Sequence, residues 1–196
     1  MKKILIVVDM QNDFVTGVLG NDETKAVLPR VAKKIREHGA EYDCIYLTQD
    51  THFTNYGRTI EGQRIPLHCF VGEEGNGRAF CSEITEALND LTSNHNDIKI
   101  EEWMKETFGC QRMIDNLLYH YDKTNEMREF NDRFEYEFEL CGVCTDICVI
   151  SNAMLLRNAF PNAIIKVDAS CCAGTSKEVH QAALKVMSSC LIDVID

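Results

Sequence analysis

The sequence lacks several features that would place it in other classes of protein. No apolar run approaches the ~20 residues that a membrane-spanning helix needs. Basic residues are scarce, and a net charge of −11 argues against binding to nucleic acid or to anionic membrane surfaces. The apolar run at 4–8 is too short for the core of a secretory signal. We therefore expect a cytoplasmic protein.

The chain also has only three prolines, no internal repeat, no low-complexity tract and no interdomain linker. Its 196 residues are enough for a full hydrophobic core, and we expect one domain over residues 1–196. Cysteine, by contrast, is plentiful. In a reducing compartment we expect the ten cysteines to be thiols and not a disulfide framework.

Short apolar runs alternate with amphipathic segments along the chain. The continuous run at 4–8 is typical of a strand covered on both faces, which implies a parallel sheet. We predict strands over 4–8, 44–48, 97–101, 134–140, 163–167 and 191–195, and helices over 26–37, 81–91, 113–121, 146–158 and 176–189. This alternation predicts a three-layer α/β domain with a six-stranded, mostly parallel sheet. Ligands of such sheets bind beyond the carboxyl ends of the strands.

Other segments have less regular patterns. Residues 51–80 form a long irregular segment, rich in histidine and aromatic residues, which we expect to be functional. Residues 103–109 are predicted as a loop and residues 123–133 as a solvated, charged helix. Thr175 and Glu178 have the spacing of a capping box for the last helix.

The stretch 141–149 (CGVCTDICV) joins the fourth predicted strand to a helix. Gly142 suits a sharp turn there, and Thr145 and Asp146 offer N-cap side chains. Cys148 then lies in the first helical turn, where the helix dipole favours an anion, so its thiol should ionise more readily. This is the geometry of a nucleophile on a strand–turn–helix junction.

Two more residues near predicted strand ends suit the same chemistry. Asp9 follows the first strand, where partial burial should raise the pKa of its carboxyl group and make it a general base. Lys105 follows the third strand, and its ammonium would stabilise a neighbouring thiolate and carboxylate. Each residue alone is more commonly structural, so the prediction depends on their convergence.

The second strand is followed by candidate metal ligands. Asp50 and His52 lie two residues apart in an extended segment, so their side chains point to the same side. His68 and Glu61 offer further nitrogen and oxygen ligands. One carboxylate with two imidazoles suits a divalent metal, with zinc, iron and manganese as the candidates.

Three motifs resemble those of the isochorismatase-like cysteine hydrolases and, within them, the nicotinamidases. They are residues 8–14 (VDMQNDF), residues 105–109 (KETFG) and residues 142–149 (GVCTDICV). The resemblance covers essentially the whole chain. It implies a parallel sheet with strand order 3-2-1-4-5-6 and a catalytic triad of Asp9, Lys105 and Cys148. It also implies a cis peptide bond before Cys144, whose N–H would join that of Cys148 in an oxyanion hole.

The same resemblance implies a substrate pocket and a metal site. Asp50, His52 and His68 match the metal ligands of nicotinamidases, and Glu61 matches a fourth ligand found in some of them. Phe14 matches an aromatic residue of the pocket. Ile65 stands where these enzymes commonly have tryptophan, so the aromatic wall is replaced by an aliphatic one.

The implied activity is hydrolysis of a small-molecule amide through a Cys148 thioester, most closely that of nicotinamide to nicotinate and ammonia. A divalent metal, zinc foremost, would help to bind the substrate. The resemblance further implies a homo-oligomer. The runner-up among hydrolases is a metal-independent amidase or ureido-hydrolase of the same family.

Two alternatives come from other classes of protein. The spacing of Cys141, Cys144 and Cys148, with Cys171 and Cys172 nearby, could hold a metal or a redox centre. A second short-spaced motif is lacking, however, and buried packing is the simpler role for the four cysteines other than Cys148. The other alternative is a binding protein that keeps the fold without catalysis.

Overall fold

A computed structural model describes residues 1–72, 76–124 and 136–196 of the chain. Six parallel strands form one sheet in the order β3-β2-β1-β4-β5-β6, as the resemblance implied. The strands are β1 (Lys2–Val8), β2 (Cys44–Asp50), β3 (Lys99–Lys105), β4 (Tyr136–Val143), β5 (Ile164–Ala173) and β6 (Asp193–Ile195). The order reverses between β1 and β4, so their carboxyl ends open onto one crevice.

The burial of each strand agrees with its place in the sheet. Every residue of β2 and β4 is buried, as are the last five of β1, and these strands lie in the interior of the sheet. The edge strand β3 alternates charged and apolar residues and is largely half-exposed. Strands covered on both faces favour continuous apolar runs, which is why β1 and β2 were readable from sequence.

Six α-helices lie in the described parts of the connections between the strands. They are α1 (Asn12–Val15), α2 (Asp22–His38), α3 (Ser82–Asn94), α4 (Gln111–Thr124), α5 (Ile150–Ala159) and α6 (Lys177–Ser189). Right-handed crossovers place α2 and α3 on one face of the sheet and α4, α5 and α6 on the other. Helix α2 packs against α3, and α5 packs against α4 and α6. No helix in the described ranges is both long and apolar enough to span a membrane.

Several predicted boundaries were wrong. The segment predicted as a loop over 103–109 begins as strand, because β3 continues to Lys105. Strand β5 continues to Ala173, well past the predicted end at 167, through an irregularity in its pairing with β4. Helix α2 begins earlier than predicted, at Asp22, with a capping box between Asn21 and Thr24.

The predicted caps of two other helices were also wrong. Ser176, not Thr175, caps α6 by accepting a hydrogen bond from the Val179 amide. The Thr175 hydroxyl instead donates a 2.7 Å hydrogen bond to the Asp146 side chain. Asp146 therefore binds a residue before α6 and does not cap the helical turn in which it lies. The predicted helix over 146–158 begins with a single π-helical turn (Thr145–Val149) that has no side-chain cap, and α5 follows it.

The irregular segment after β2 is confirmed for its described part, which contains one short 3-10 helix at Tyr56–Arg58. The predicted charged helix over 123–133 lies outside the described residues beyond position 124.

Candidate active site

Asp9, Lys105 and Cys148 meet at the carboxyl edge of the sheet, although 96 and 43 residues separate them in sequence. The Lys105 ammonium lies 2.8 Å from Asp9 Oδ2 and 3.7 Å from Cys148 Sγ. All three side chains are buried. The predicted convergence of an acid, an ammonium and a thiol is therefore present, and their roles are taken up below.

The end of β1 determines where Asp9 points. Its backbone turns into the left-handed region (φ 47°) immediately after the strand, and the Thr48 hydroxyl donates a 2.6 Å hydrogen bond to Asp9 Oδ1. Gly142 of β4 lies directly alongside, where a Cβ would come within 2.2 Å of the Val8 carbonyl oxygen. Glycine is required at this position, because its φ of +115° is also unfavourable for other residues.

The electrostatics of Asp9 agree with the sequence prediction. Complete burial raises the pKa of its carboxyl group, and the nearby Asp50 carboxylate adds to this effect. Lys105 opposes both, which keeps a charged form accessible. A carboxyl group with a raised pKa is suited to moving a proton near neutral pH.

Cys148 lies in the π-helical turn between β4 and α5. Its carbonyl oxygen accepts a 2.8 Å hydrogen bond from the side chain of Asn152, which also accepts from the Cys110 amide. π-Helical turns occur frequently at functional sites. The turn therefore holds the nucleophile candidate rigidly against the sheet edge.

The prediction that this thiol ionises more readily was wrong for the resting protein. Burial raises the pKa of Cys148 well above its usual value. Lys105 lowers that pKa, but the carboxylates of Asp9 and Asp50 raise it again. The helix start alone is outweighed by desolvation and by two neighbouring carboxylates, so the sulfur holds its proton until a base removes it.

The peptide bond between Val143 and Cys144 is cis, as the resemblance implied. Cys144 and Cys148 both line a cavity of about 210 Å³ above the sheet edge. Its other lining residues are Phe14, Leu19, Asp50, Glu61, Ile65, His68, Phe108, Ile147 and Thr175. The cavity is mainly apolar, and its polar groups lie where the nucleophile and the metal ligands meet.

The four candidate metal ligands also come together. Asp50 Oδ2 lies 3.0 Å from His52 Nε2 and 3.1 Å from His68 Nε2, while Glu61 Oε1 lies 3.6 and 3.7 Å from the same nitrogens. Ligand atoms at 2.0–2.1 Å from a tetrahedral zinc ion are about 3.3 Å apart. The observed separations lie close to that value, so the donor set fits a zinc-sized divalent cation.

The histidine surroundings support the same fit. His68 Nδ1 lies 2.8 Å from the Pro66 carbonyl oxygen, so a proton on Nδ1 is donated there and leaves Nε2 free to bind a metal. His52 Nε2 is buried and, although close to Asp50, forms no well-aligned hydrogen bond. A buried nitrogen without a proper partner, directed at two carboxylates, is consistent with a ligand position.

Asp50 belongs to both clusters. Its Oδ2 faces the two histidines, and its Oδ1 lies 3.2 Å from the Lys105 ammonium. Burial alone would raise the pKa of Asp50, but the neighbouring His52 and His68 imidazoles and the charge of Lys105 lower it. At His52 burial lowers the pKa, but the Asp50 and Glu61 carboxylates outweigh it and raise the pKa to about 9. Metal binding at His52 would therefore compete with a proton.

The ten cysteines are all unpaired thiols. The metal-ligand grouping found among the described residues contains no cysteine. Cys141, Cys171 and Cys172 are buried, in keeping with the packing role. A cysteine-ligated metal or redox centre therefore has no support in the described part of the chain.

Sequence reasoning missed several residues of the site. Thr48 and Asn152 were not singled out, because each acts on a residue of another strand or loop. Phe108 was within a quoted motif, but its place in the cavity wall was not recognised. Leu19 and Ile147 complete the apolar wall and resemble any other core residue in sequence.

The chain resembles several proteins of known structure. No model of a protein family matches the chain, and no curated protein matches it. Solved structures do match: nicotinamidase/pyrazinamidase from Bacillus subtilis has a TM-score of 0.77 and 22% identity, covering all of both chains. Pyrazinamidase/nicotinamidase from Streptococcus mutans has a TM-score of 0.76 and 26% identity, covering 99% of this chain and 100% of that one. Pyrazinamidase from Pyrococcus horikoshii, solved in complex with zinc, has a TM-score of 0.72 and 23% identity, covering 100% and 99%.

An isochorismatase-like hydrolase and an N-carbamoylsarcosine amidase are among the other structures with this fold. The similarity thus extends over the full length of the chain. The chain therefore has the isochorismatase-like α/β fold, and within it the resemblance is to the nicotinamidase branch.

Proposed function

We propose that this protein is an amidohydrolase that cleaves the carbon–nitrogen bond of a small amide through a thioester on Cys148. The observation on which this depends is the position of the Lys105 ammonium, within 2.8 Å of an Asp9 oxygen and 3.7 Å of the Cys148 sulfur. The sulfur also borders the cavity in which a substrate would lie. The amidases that share the fold support the same reaction class.

The residues allow each step of the reaction. The Asp9 carboxylate removes the thiol proton of Cys148 as the sulfur attacks the carbonyl carbon of the amide. The backbone N–H groups of Cys144 and Cys148 stabilise the oxyanion. Asp9 then gives its proton to the leaving nitrogen, the carbon–nitrogen bond breaks, and ammonia departs. Asp9 then deprotonates a water molecule, which attacks the thioester and breaks the carbon–sulfur bond. The acid leaves, and Asp9 returns the proton to the sulfur to restore the thiol.

Lys105 stabilises the negative charge that this proton transfer moves between Asp9 and Cys148. Burial alone would favour the neutral lysine, but Asp9, Cys148 and Asp50 outweigh it and raise the pKa of Lys105 well above its usual value. The raised pKa favours the charged ammonium beside both groups. The ammonium stabilises whichever of the acid and the sulfur is negative at each step.

We propose nicotinamide as the substrate and a divalent metal, zinc foremost, as the cofactor held by Asp50, His52, Glu61 and His68. When bound there, the metal supplies a Lewis acid that can take a ring-nitrogen lone pair and fix the amide over Cys148. Phe14 packs edge-on against His68, with ring centroids 5.3 Å apart, and so orients both a cavity wall and a ligand.

The aliphatic wall provided by Ile65 favours a second candidate. Isoleucine stacks less well on a pyridine ring than tryptophan, so a different amide or a ureido compound, cleaved without metal, is the alternative. It predicts activity that survives chelation and a preference for substrates other than nicotinamide.

Ammonia release decides between these proposals. We expect the purified protein to release ammonia from nicotinamide, to lose this activity in Cys148→Ser, and to lose it with a chelator and regain it with zinc. Zinc content should be unchanged in Cys148→Ser, since the sulfur is not a ligand. Activity retained by Cys148→Ser would contradict the thioester, whereas chelator-resistant hydrolysis of another amide would favour the second candidate.

We also propose a cytoplasmic location and a homo-oligomer. The ten unpaired thiols support a reducing compartment. Exposed apolar side chains near the cavity loops, among them Phe53, Ile60 and Leu67, are consistent with contact between copies. Light scattering of the purified protein measures the oligomeric state directly.

A further inference from the structure

Gln11 is fully buried but has no place in the chemistry described above. Its side-chain oxygen accepts a 2.7 Å hydrogen bond from the Asp50 amide. Its side-chain nitrogen donates to the carbonyl oxygens of Asp50 (2.9 Å) and Arg78 (2.7 Å), and lies 3.4 Å from Cys69 Sγ. The side chain of this buried glutamine thus forms its hydrogen bonds mainly with the backbone around a candidate metal ligand, Asp50.

The end of β1 explains why a side chain is needed there. The pairing of β1 with β2 stops at Val8 and Thr48, because the chain turns away at Asp9. The backbone of Asp50 therefore has no strand on that side, and the Gln11 carboxamide takes the place of a peptide group. Among side chains this requires an amide, which has a donor and an acceptor in one plane.

Asp13 likewise hydrogen-bonds the backbone next to a second candidate ligand, His68. Its Oδ2 accepts a 2.7 Å hydrogen bond from the amide of Cys69, the residue directly after His68. Cys69 has a φ of +46°, which is uncommon outside glycine, so its backbone needs external support. Gly77 and Gly17 close on the Asp13 carboxylate, where a Cβ would come within 2.2 and 2.5 Å of its oxygens.

We propose that Gln11 and Asp13 are positioning residues of the metal centre. Gln11 fixes the backbone of Asp50, and Asp13 fixes the peptide that follows His68. The two ligands, 18 residues apart in sequence, are thereby ordered by folding and not by the metal. The inference rests on the metal ligation in the proposed function, but not on the identity of the substrate or on the thioester.

The test is the zinc affinity of folded variants, measured by competition with a chromophoric chelator. Gln11→Glu keeps the side-chain shape but turns an oxygen toward the carbonyls of Asp50 and Arg78. Gln63→Glu makes the same change on an exposed side chain of the irregular segment after β2 and is its control. Asp13→Ala removes the acceptor for the Cys69 amide, and Asp13→Asn retains an oxygen that can replace it.

We expect Gln11→Glu and Asp13→Ala to bind zinc about 10- to 100-fold more weakly than the wild type. Gln63→Glu and Asp13→Asn should bind close to the wild-type value. Gln11→Glu adds a negative charge near the site, which by itself would attract a cation more strongly. Weaker zinc binding in this variant would therefore point to the altered backbone of Asp50. Thermal unfolding of the metal-free proteins, measured alongside, reports any general loss of stability separately.

The outcomes separate the inference from the proposal beneath it. If the wild type binds no zinc, both the metal part of the proposed function and this inference are wrong. If the wild type binds zinc and Asp13→Ala and Gln11→Glu bind it equally well, only the inference is overturned, even where their unfolding temperatures fall. Should Gln11→Glu fail to fold, the pair Asp13→Ala and Asp13→Asn decides alone, since Asp13 is only partly buried.

Discussion

Replacing Lys105 by methionine tests the electrostatic basis of the proposed nucleophile. The Lys105 ammonium lies 3.7 Å from Cys148 Sγ, and both side chains are almost completely buried. At an effective dielectric constant of about 20, a unit charge pair at this separation attracts by about 4.5 kcal/mol. Losing it would lower the thiolate fraction by roughly 2000-fold.

A change at Asp9 offsets part of this loss of thiolate. Without Lys105 the carboxyl group of Asp9 binds a proton more readily, which removes one of the charges that raise the pKa of Cys148. We therefore expect the alkylation rate of Cys148 to fall by about 100- to 1000-fold. The net change is still large because Asp9 in its neutral form can no longer take the thiol proton.

Peptide mass spectrometry after timed iodoacetamide treatment measures this rate for each cysteine in one experiment. Cys190, the one cysteine that is not fully buried, provides an internal reference whose rate should not change. Lys99→Met removes an exposed lysine at the other end of β3 and is the matched control. A Lys105→Met variant that folds and alkylates at Cys148 within about threefold of this control would refute the reasoning.

Three further changes have defined outcomes. Asp9→Asn should lower ammonia release by about 10²- to 10⁴-fold in a steady-state assay, because the general base is lost. Lys34→Met should cost about 3–5 kcal/mol in urea unfolding at neutral pH, since it leaves the Glu139 and Asp168 carboxylates buried without their ammonium. Burial tends to raise the pKa of Asp168, but Lys34 holds it below its usual value. That contribution is lost as the pH falls through the folded pKa, so the difference between the proteins should shrink in acid. Gly142→Ala should lower the melting temperature in calorimetry, because a Cβ at φ +115° meets the β1 backbone.

Much of the fold was predictable because its central strands are covered on both faces. The apolar runs that became β1 and β2 have few alternatives, and the strand order followed from the resemblance. The edge strand β3 was placed too early because exposed residues such as Glu102 and Met104 resemble a loop. Side-chain caps were misassigned for a similar reason, since Thr175 finds a partner 29 residues away that its own sequence neighbourhood does not indicate.

The site residues with chemical groups were predictable, but the residues that position them were not. Asp9, Lys105, Asp50 and His52 stand at or next to strand ends, a position that sequence alone can indicate. Glu61 and His68 lie within the irregular segment after β2 and were identified by residue type and by the resemblance. Thr48 and Gln11 act through hydrogen bonds to residues 39 positions away, which only the folded sheet brings near. The ionisation of Cys148 was misjudged because the helix start is a local effect, whereas burial and two carboxylates act through the fold.

Asp50 connects the two halves of the site, and its two oxygens face different charges. Asp50→Asn keeps the shape of the side chain but removes a negative charge that raises the pKa of Cys148 and forms an ion pair with Lys105. We expect Cys148 to alkylate faster in this variant, on the order of tenfold, while zinc affinity falls because a ligand charge is lost.

These opposite changes cannot come from a general loosening of the protein, which would weaken zinc binding and expose all the buried thiols together. The expected pattern is therefore faster alkylation at Cys148 with no change at Cys144, which borders the same cavity. Equal acceleration at both cysteines would mean that Asp50 acts on access to the cavity. Selective acceleration would mean that the metal ligands and the nucleophile share one electrostatic network through Lys105.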